Sequence, residues 1–271
     1  MFELVSAKNS IISELRRLAQ RRSSRIEQGR FLIEGANLLA VALDAAIPIE
    51  LVLSDGAATL DDQTLAIARQ ARDLGARLIE LPEGVMARVA DTVSPQPIIS
   101  VVARQTVSLA SIVEQASSLL PIVVLVGIGD PGNAGTLLRS AEAAGASAVV
   151  FCDGSVDAFN PKTVRASAGA IFQVPIVDSM NAEAVVAQLT ESGIRTVGLV
   201  VRSGAPLDDT TLSGPVAIVL GSEPHGLADD LSVTLDELVT IEMSGRSESL
   251  NVAMAGTLVV FEAARQRRAG N

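Results

Sequence analysis

The second half of the chain alternates short, wholly apolar runs with longer segments of helical pattern, and this alternation limits the fold more than any other feature. Predicted strands cover residues 122–126, 148–151, 196–200, 217–220 and 238–241, and predicted helices lie near 134–144, 162–168, 182–191 and 250–267. The runs are rich in Val, Ile and Leu without polar alternation, which is typical of parallel strands buried on both faces. From Pro121 onward, the sequence therefore predicts an α/β domain with a parallel sheet.

The first hundred residues show the same kind of alternation over shorter segments. Strands are predicted at 30–33, 49–53, 77–81 and 98–103, with helices at 10–22, 37–45 and 60–74. A polar helical segment near 109–119 follows them. We predict a smaller α/β domain at residues 1–104, a linker at 105–120 and the parallel-sheet domain at 121–271.

Composition shows what fills the core and which sites are excluded. Hydrophobic residues make up 48% of the chain, but Trp and Tyr are absent and Phe occurs six times, so the core is aliphatic. The single cysteine, Cys152, excludes an internal disulfide and fits a reducing cytoplasm. We interpret it as a buried apolar residue rather than a reactive thiol. Because the one histidine, His225, is far from Cys152 in sequence, we expect neither a metal site nor a His-based triad.

No segment of the sequence indicates a membrane protein. The longest apolar stretches, such as 122–126, are far shorter than a bilayer span. The first residues include Glu3 and Lys8 and lack the continuous apolar region of a secretory signal. We therefore expect a cytoplasmic protein without membrane contact.

The charge is unevenly distributed along the chain. The net charge is -10, yet residues 1–30 hold seven basic and three acidic side chains, a local charge of +4. The last turn of the predicted C-terminal helix is basic again, with Arg265, Arg267 and Arg268. Such clusters can bind phosphates while an acidic remainder keeps the protein in solution. A solvated helix face explains them equally well, so charge alone leaves both interpretations open.

A glycine-rich segment follows the first strand of the second domain. Gly127-Ile-Gly-Asp-Pro-Gly132 matches G-x-G-x-x-G before a predicted helix, and Asp153 lies 21 residues later, so an NAD-binding site has to be considered. Pro131 weakens this interpretation, because it removes a backbone N–H from the loop that would hold the pyrophosphate. A dinucleotide site would also leave the unusual polar residues downstream unexplained. An NAD enzyme therefore stays as an alternative.

The helix that begins in this segment carries a polar face. Gly132, Asn133, Thr136 and Arg139 fall on one side of it at about 100° per residue. Asn133 and Arg139 together could hold a phosphate or a sugar. Alternatively, Asn133 is a helix N-cap and Arg139 is solvated.

Two further segments place polar residues directly after predicted strands. Leu220-Gly-Ser-Glu-Pro-His-Gly-Leu227 brings backbone amides and the carboxylate of Glu223 to the carboxyl edge of the sheet, where α/β proteins bind ligands. The last segment leads from Ile241 into the C-terminal helix. Ser247 or Ser249 can cap that helix. Capping does not explain Asn251, which we place inside its first turn.

These segments together resemble a known family. Asn133-Ala-Gly-Thr-Leu-Leu-Arg139, Leu220-Gly-Ser-Glu223-Pro-His-Gly226-Leu and Ser249-Leu-Asn251-Val-Ala are similar, in this order, to the three signature motifs of the SpoU (TrmH-type) RNA 2′-O-ribose methyltransferases of the SPOUT superfamily. Arg165-Ala-Ser-Ala-Gly169-Ala-Ile-Phe resembles a further segment of that family. Phe31-Leu-Ile-Glu34-Gly35 is similar to the start of its N-terminal substrate-binding domain. The resemblance spans essentially the whole chain.

The resemblance implies a deep trefoil knot in the parallel-sheet domain, one of the rare exceptions to the rule against threaded chains. It also implies a homodimer through that domain and S-adenosylmethionine bound in a bent form. The activity it implies is methyl transfer to a ribose 2′-hydroxyl of structured RNA, with rRNA preferred over tRNA as the substrate.

The resemblance also assigns roles to residues. The cofactor would be contacted by Gly221, Ile241, Leu250, Met243 and Leu199. The catalytic site would comprise Arg139, Asn133, Glu223, Ser249 and Asn251. Separately, we expect Arg22, Arg25, Arg30 and Arg165 to bind RNA. The chain departs from the pattern at Glu242, where the family often has a proline, which puts the geometry of that loop in question.

The implied chemistry needs few side chains. A methyl sulfonium is already electrophilic, so the protein has to align the hydroxyl and promote its deprotonation. Arg139 is a weak candidate for the base because arginine stays protonated, and anchoring a phosphate suits it better. No metal is required. An RNA-binding or ribosome-assembly protein of the same fold without activity is the second alternative.

Overall fold

The computed structural model describes residues 2–6, 10–90, 96–114 and 121–270. In the earlier part of the chain the elements are β1 (Glu3–Leu4), α1 (Ser10–Gln20), α2 (Arg22–Gln28), β2 (Arg30–Glu34), α3 (Ala36–Asp44), β3 (Ile49–Ser54), α4 (Asp62–Asp73), β4 (Arg77–Glu80), α5 (Val85–Ala90), β5 (Ile99–Ala103) and α6 (Leu109–Val113). In the later part they are β6 (Ile122–Leu125), α7 (Pro131–Ala143), β7 (Ala148–Cys152), α8 (Pro161–Ser167), β8 (Ile176–Met180), α9 (Ala182–Glu191), β9 (Arg195–Leu199), β10 (Ala205–Pro206), β11 (Val216–Leu220), α10 (Asp229–Ser232), β12 (Glu237–Thr240) and α11 (Val252–Gly270).

The predicted elements are present, and the differences lie in short or edge elements. The predicted helix 10–22 ends at Gln20 and is followed by α2, which we did not predict. We also missed β1, β8 and β10, which lie at sheet edges, and the short helices α5 and α10. An edge strand pairs on one side only and needs less apolar character. The end of the predicted helix 109–119, part of the predicted linker and Lys8 lie outside the described residues.

The chain divides into two compact units, and a late segment belongs to the first. One unit comprises Met1–Gln105 and Phe159–Phe172, and the other comprises Thr106–Ala158 and Gln173–Asn271. In the first unit the Phe31 ring lies 4.9 Å from that of Phe159, centroid to centroid. The domain division predicted from sequence stays a prediction. In the folded chain, residues 159–172 join the first unit, which the local sequence pattern does not indicate.

The first unit is built on a mixed five-stranded sheet. Its strand order is β1-β4-β3-β5-β2, with β5 antiparallel to both β2 and β3. Helix α1 packs its buried Leu15 and Leu18 into a core that includes Leu53 and Ile79 of the sheet. The N-terminal α/β domain is therefore present, with a mixed rather than a wholly parallel sheet.

The second unit contains a seven-stranded sheet in which every pair is parallel. The order is β10-β12-β9-β11-β6-β7-β8. All residues of β6, β7 and β11 are buried, which explains their continuous apolar sequence. The predicted parallel-sheet α/β domain is confirmed. Within the described ranges, no helix is long and apolar enough to cross a membrane.

Strand β12 occupies an unusual position in this sheet. It lies between β9 and β10, although residues 200–204 join those two strands directly in sequence. The short connection therefore crosses the end of β12. Gly204 is needed at the crossing, because a Cβ there would lie 2.7 Å from the carbonyl carbon of Val239 and 2.9 Å from the nitrogen of Thr240. A strand that comes late in the sequence thus pairs between two earlier strands that a short connection joins.

Candidate active site

The start of α7 is capped by Asp130, not by Asn133. The Asp130 side chain accepts a hydrogen bond from the backbone nitrogen of Asn133 at 2.8 Å, and Pro131 occupies the first turn. The alternative that Asn133 is itself the N-cap is therefore wrong, and its side-chain amide is available for other contacts. The Asp130 carboxylate also occupies the helix terminus that would hold a dinucleotide pyrophosphate, which disfavours the NAD interpretation.

Three side chains from separate segments meet in one hydrogen-bonded cluster. Oε1 of Glu223 accepts from Nδ2 of Asn133 at 2.7 Å and from Nδ2 of Asn251 at 2.7 Å. Nδ2 of Asn251 also lies 3.1 Å from Oδ1 of Asn133. The predicted meeting of Asn133, Glu223 and Asn251 is thus present in the second unit. We name these three residues the amide–carboxylate cluster.

The side-chain oxygen of Asn251 fixes the start of α11. Oδ1 of Asn251 accepts from the backbone nitrogens of Ala253 at 3.0 Å and Met254 at 3.3 Å. Asn251 is therefore the cap that precedes the helix, and our expectation of a cap at Ser247 or Ser249 is wrong. Sequence placed the helix start two residues too early, because Leu250 continues the apolar pattern. One side chain both ends the loop after β12 and joins the cluster.

The loop after β11 folds into a tight turn beside the cluster. Ser222 and Gly226 exchange backbone hydrogen bonds of 3.0 and 2.8 Å across it. A Cβ at Gly221 would lie 2.2 Å from the carbonyl carbon of Gly226 and 2.3 Å from the nitrogen of Leu227. Only glycine fits where these backbones approach. The turn that carries Glu223 is therefore closely packed.

Helix α11 approaches α7 and β11 just behind the cluster. A Cβ at Gly256 would lie 2.5 Å from Cδ2 of Leu137 and 2.7 Å from Cδ1 of Leu220. Next to this approach, the hydroxyl oxygens of Ser140 and Thr257 are 2.7 Å apart. This close packing holds α7, which carries Asn133, and α11, which Asn251 caps, in a fixed relation.

A cavity of about 460 Å³ opens at the carboxyl ends of β9, β11 and β12. Its apolar lining includes Leu199, Ile241, Leu250 and Val252, and its polar lining includes Glu223. Parallel sheets bind ligands at this edge, because the connecting loops there are free to vary. The cavity and the amide–carboxylate cluster share Glu223 and so form one site.

The structure brings most of the predicted site residues together. The cavity lining includes Gly221, Ile241, Leu250, Met243, Leu199, Glu223 and Ser249. Asn133 and Asn251 reach it through Glu223. Arg139 is exposed on α7, six residues after Asn133, and its side chain makes no hydrogen bond with another described residue. His225, in the loop after β11, is exposed and also lines the cavity.

The basic residues predicted to bind RNA lie in the first unit, and two are engaged there. Arg25 is 2% exposed, and its Nη1 donates to the carbonyl oxygens of Leu18 and Ala19. Arg30 forms ion pairs with Glu14 and Glu50. Both arginines therefore stabilise the first unit through contacts with its own groups, which their positions in the sequence could not show.

The other two predicted RNA-binding arginines are partly accessible. Arg22 is half-buried at the start of α2. Arg165 on α8 is 39% exposed and pairs with the buried carboxylate of Glu34. Arg16, Arg17 and Arg21, which were not among the predicted RNA-binding residues, are exposed, and their side chains make no hydrogen bond or ion pair with another described residue. The helical period of α1 could have identified Arg16 and Arg17, because the buried Leu15 and Leu18 set the opposite face.

Cys152 at the end of β7 is buried, as predicted. Burial, followed by the nearby charges of Asp153 and Glu183, raises the pKa of its thiol to about 12. A thiol that stays protonated is a poor nucleophile, so its role is packing. Among the described residues, no group of three or more His, Cys, Asp or Glu side chains is arranged to hold a metal ion.

Comparison with known proteins assigns the family. Residues 121–261 match the model of the SpoU rRNA Methylase family, and residues 9–100 match that of the MRM3-like substrate binding domain. The chain belongs to the SpoU rRNA methylase family. The resemblance seen in the three motifs is thus confirmed.

Relatives of this SpoU chain match it over nearly its full length. It is 31% identical over 262 residues to the 23S rRNA (guanosine(2553)-2′-O)-methyltransferase RlmP of Bacillus subtilis, covering 96% of this chain and 98% of the relative. The structure of the SpoU methyltransferase AviRb from Streptomyces viridochromogenes in complex with AdoMet has a TM-score of 0.88 at 26% identity, covering 97% and 100% of the two chains. An AdoMet-bound rRNA methyltransferase from Sinorhizobium meliloti has a TM-score of 0.84 at 27% identity, covering 97% and 98%.

Proposed function

We propose that this SpoU protein transfers a methyl group from S-adenosylmethionine to a ribose 2′-hydroxyl of ribosomal RNA. The observation that carries the proposal is the amide–carboxylate cluster at the edge of the cavity. It unites one residue from each of the three family motifs within hydrogen-bond distance. Relatives that match nearly the whole chain are named as 23S rRNA 2′-O-methyltransferases.

The cavity fits the proposed cofactor. Leu199, Ile241 and Leu250 provide apolar surface for a purine ring, and the strand ends provide backbone groups to recognise its edge. Gly221 has no side chain, and the backbone of residues 226–227 packs directly against it on this wall of the cavity. We assign the cofactor to these residues, with Met243 and Ser249 on the side of the loop after β12.

The residues of the chain have to position and deprotonate the hydroxyl. When bound, the cofactor would supply an electrophilic methyl group on its sulfonium, with the neutral thioether as the leaving group. Glu223 is suited to accept the 2′-proton, since Oε1 is fixed by two amides and Oε2 makes no hydrogen bond to a described residue. Arg139 keeps its positive charge and is suited to hold a phosphate next to the target ribose. Asn133 and Asn251 orient the carboxylate.

We assign RNA binding outside the site to the first unit, in line with the match of residues 9–100 to a substrate binding domain. Arg16, Arg17 and Arg21 are its exposed candidates, together with the partly exposed Arg22 and Arg165. We leave Arg25 and Arg30 out of this surface because their charges are used internally. Residues 1–104 would thus bind substrate, 105–120 would link, and 121–271 would carry catalysis.

We further propose a knot and a homodimer in the second unit. The insertion of β12 between β9 and β10 supports the knot, since the connection 200–204 has to pass over a later strand. An apolar stripe on α11 supports the dimer, because three large side chains at intervals of four and three residues stay exposed: Met254, Leu258 and Phe261. An rRNA substrate would place the protein in the cytoplasm, which the single free cysteine also fits.

A methyl-transfer assay tests the proposed function. Purified protein is incubated with S-adenosylmethionine labelled on the methyl group and with rRNA from a strain lacking the gene, and 2′-O-methyl sites are mapped. We expect Arg139→Ala to lower the rate by about 100-fold or more, as for loss of a group that acts in the transition state. Arg69→Ala, which removes an exposed arginine on α4, is the control and should retain full activity.

Two outcomes would contradict the proposal. Absence of methyl transfer to any rRNA, with cofactor binding retained, would favour an RNA-binding or assembly protein. Full activity of Arg139→Ala would remove Arg139 from the site.

A further inference from the structure

Two charged side chains line the cavity without a role in the chemistry proposed above. Arg202 follows β9, and Glu248 lies in the connection between β12 and α11. Both are exposed, and neither makes a hydrogen bond or ion pair with another described residue. Glu223 differs from them, because its Oε1 already accepts two amides. Arg202 and Glu248 are therefore available to a ligand.

The backbone around Arg202 is fixed by its neighbours. Oγ1 of Thr240 donates to the carbonyl oxygen of Val201 at 3.0 Å. Ser203 has a φ of 65°, a left-handed conformation that a non-glycine residue keeps only where its surroundings enforce it. Gly204 packs directly on the backbone of β12. The connection 200–204 therefore fixes the backbone of Arg202 at the cavity wall.

The charges of the two side chains match those of one part of the cofactor. The adenosine of S-adenosylmethionine carries no formal charge, whereas its methionine moiety carries an α-carboxylate and an α-ammonium. A guanidinium binds a carboxylate through two parallel hydrogen bonds, and a carboxylate accepts from an ammonium. Among the lining residues, Arg202 is the one arginine, and Glu248 is the carboxylate that the cluster does not use.

We propose that Arg202 binds the α-carboxylate and Glu248 the α-ammonium of the methionine moiety. This assignment rests on the proposed cofactor and adds the two residues that distinguish its amino-acid part. The pair would make the cavity select an adenosine thioether with an amino-acid tail over one without it.

Calorimetry with three ligands tests each contact separately. S-adenosylhomocysteine carries both groups, decarboxylated S-adenosylhomocysteine keeps only the amine, and 5′-methylthioadenosine has neither. We expect Arg202→Ala to weaken binding of S-adenosylhomocysteine by about 10-fold or more, the effect of one charge-assisted contact, and to leave the other two unchanged. Glu248→Gln should weaken the first two ligands and spare 5′-methylthioadenosine.

The controls separate this proposal from the proposed function. Unchanged binding of 5′-methylthioadenosine shows that a variant has kept its cavity. Arg246→Ala removes an exposed arginine from the same connection as Glu248, outside the lining, and should bind all three ligands as the parent does. Equal weakening of all three ligands by Arg202→Ala, or weaker RNA binding with unchanged S-adenosylhomocysteine binding, would overturn the assignment. Failure of the parent protein to bind S-adenosylhomocysteine would contradict the cofactor itself.

Discussion

The side-chain amide of Asn251 donates to Oε1 of Glu223 at 2.7 Å, and Oδ1 of the same asparagine caps α11. One residue thus ties the start of the last helix to the turn after β11. Because Asn133 donates to the same carboxylate oxygen, the position of Glu223 depends on α7, α11 and its own turn together. Interactions that share an acceptor in this way are expected to be coupled.

Replacing Glu223 tests both its proposed role and this coupling. Glu223→Gln keeps the size of the side chain but removes the charge that accepts two amides and the 2′-proton, so we expect the single-turnover methyl-transfer rate to fall about 100-fold. Stability should change little, because the side chain is exposed. Asn133→Ala should cost less activity in the Glu223→Gln background than alone. Additive losses would show that the cluster does not act as a unit.

The apolar stripe on α11 predicts how the protein assembles. A charge in a buried dimer contact is costly, so Met254→Glu and Leu258→Glu should shift the protein toward monomer in sedimentation velocity. Val233→Glu is the matched control, since Val233 is 82% exposed and lies outside the stripe. Identical sedimentation of all three variants and the parent would argue against this interface.

The close approach at Gly221 predicts an intolerance to any side chain. Gly221→Ala would place a Cβ 2.2 to 2.4 Å from three backbone atoms, which cannot move aside as a flexible side chain can. We expect a loss of about 1–3 kcal/mol in the free energy of unfolding and weaker S-adenosylhomocysteine binding. Gly245→Ala, with open space around its Cβ, should stay within about 0.5 kcal/mol of the parent. Denaturant unfolding and calorimetry measure both, and equal behaviour of the two variants would contradict the prediction.

The buried thiol of Cys152 predicts a pH dependence at the alkaline end. Its pKa is raised from 9.0 to about 12, so the folded state holds the proton more tightly than the unfolded state. The resulting stabilisation is complete below pH 9 and is lost as the pH rises from 9 toward 12. Between pH 8 and 10 the free energy of unfolding should fall by about 1 kcal/mol more in the parent than in Cys152→Ala. Rapid reaction of the native thiol with a thiol reagent at pH 8 would show that the side chain is not buried.

Local sequence was sufficient where one physical signal governs the outcome. Strands buried on both faces have to be apolar throughout, so β6, β7 and β11 were recognisable and the parallel sheet followed from them. The site could be located for a related reason. Loops at the carboxyl edge of a parallel sheet converge, so polar residues directly after strands, such as Glu223, were expected to meet.

Tertiary structure decided what depends on contacts between distant segments. The position of β12 between β9 and β10 is a matter of pairing order, and no local pattern encodes it. Arg25 reads as a surface charge in sequence, yet its guanidinium is buried against carbonyl oxygens of α1. Asn251 reads as a misplaced helix residue, yet it is a cap whose other end joins Glu223 across 28 residues. The sequence alone determined which residues are apolar and where the chain turns. Only the tertiary structure determined which charged groups and amides pair, because pairing depends on distances in the folded chain.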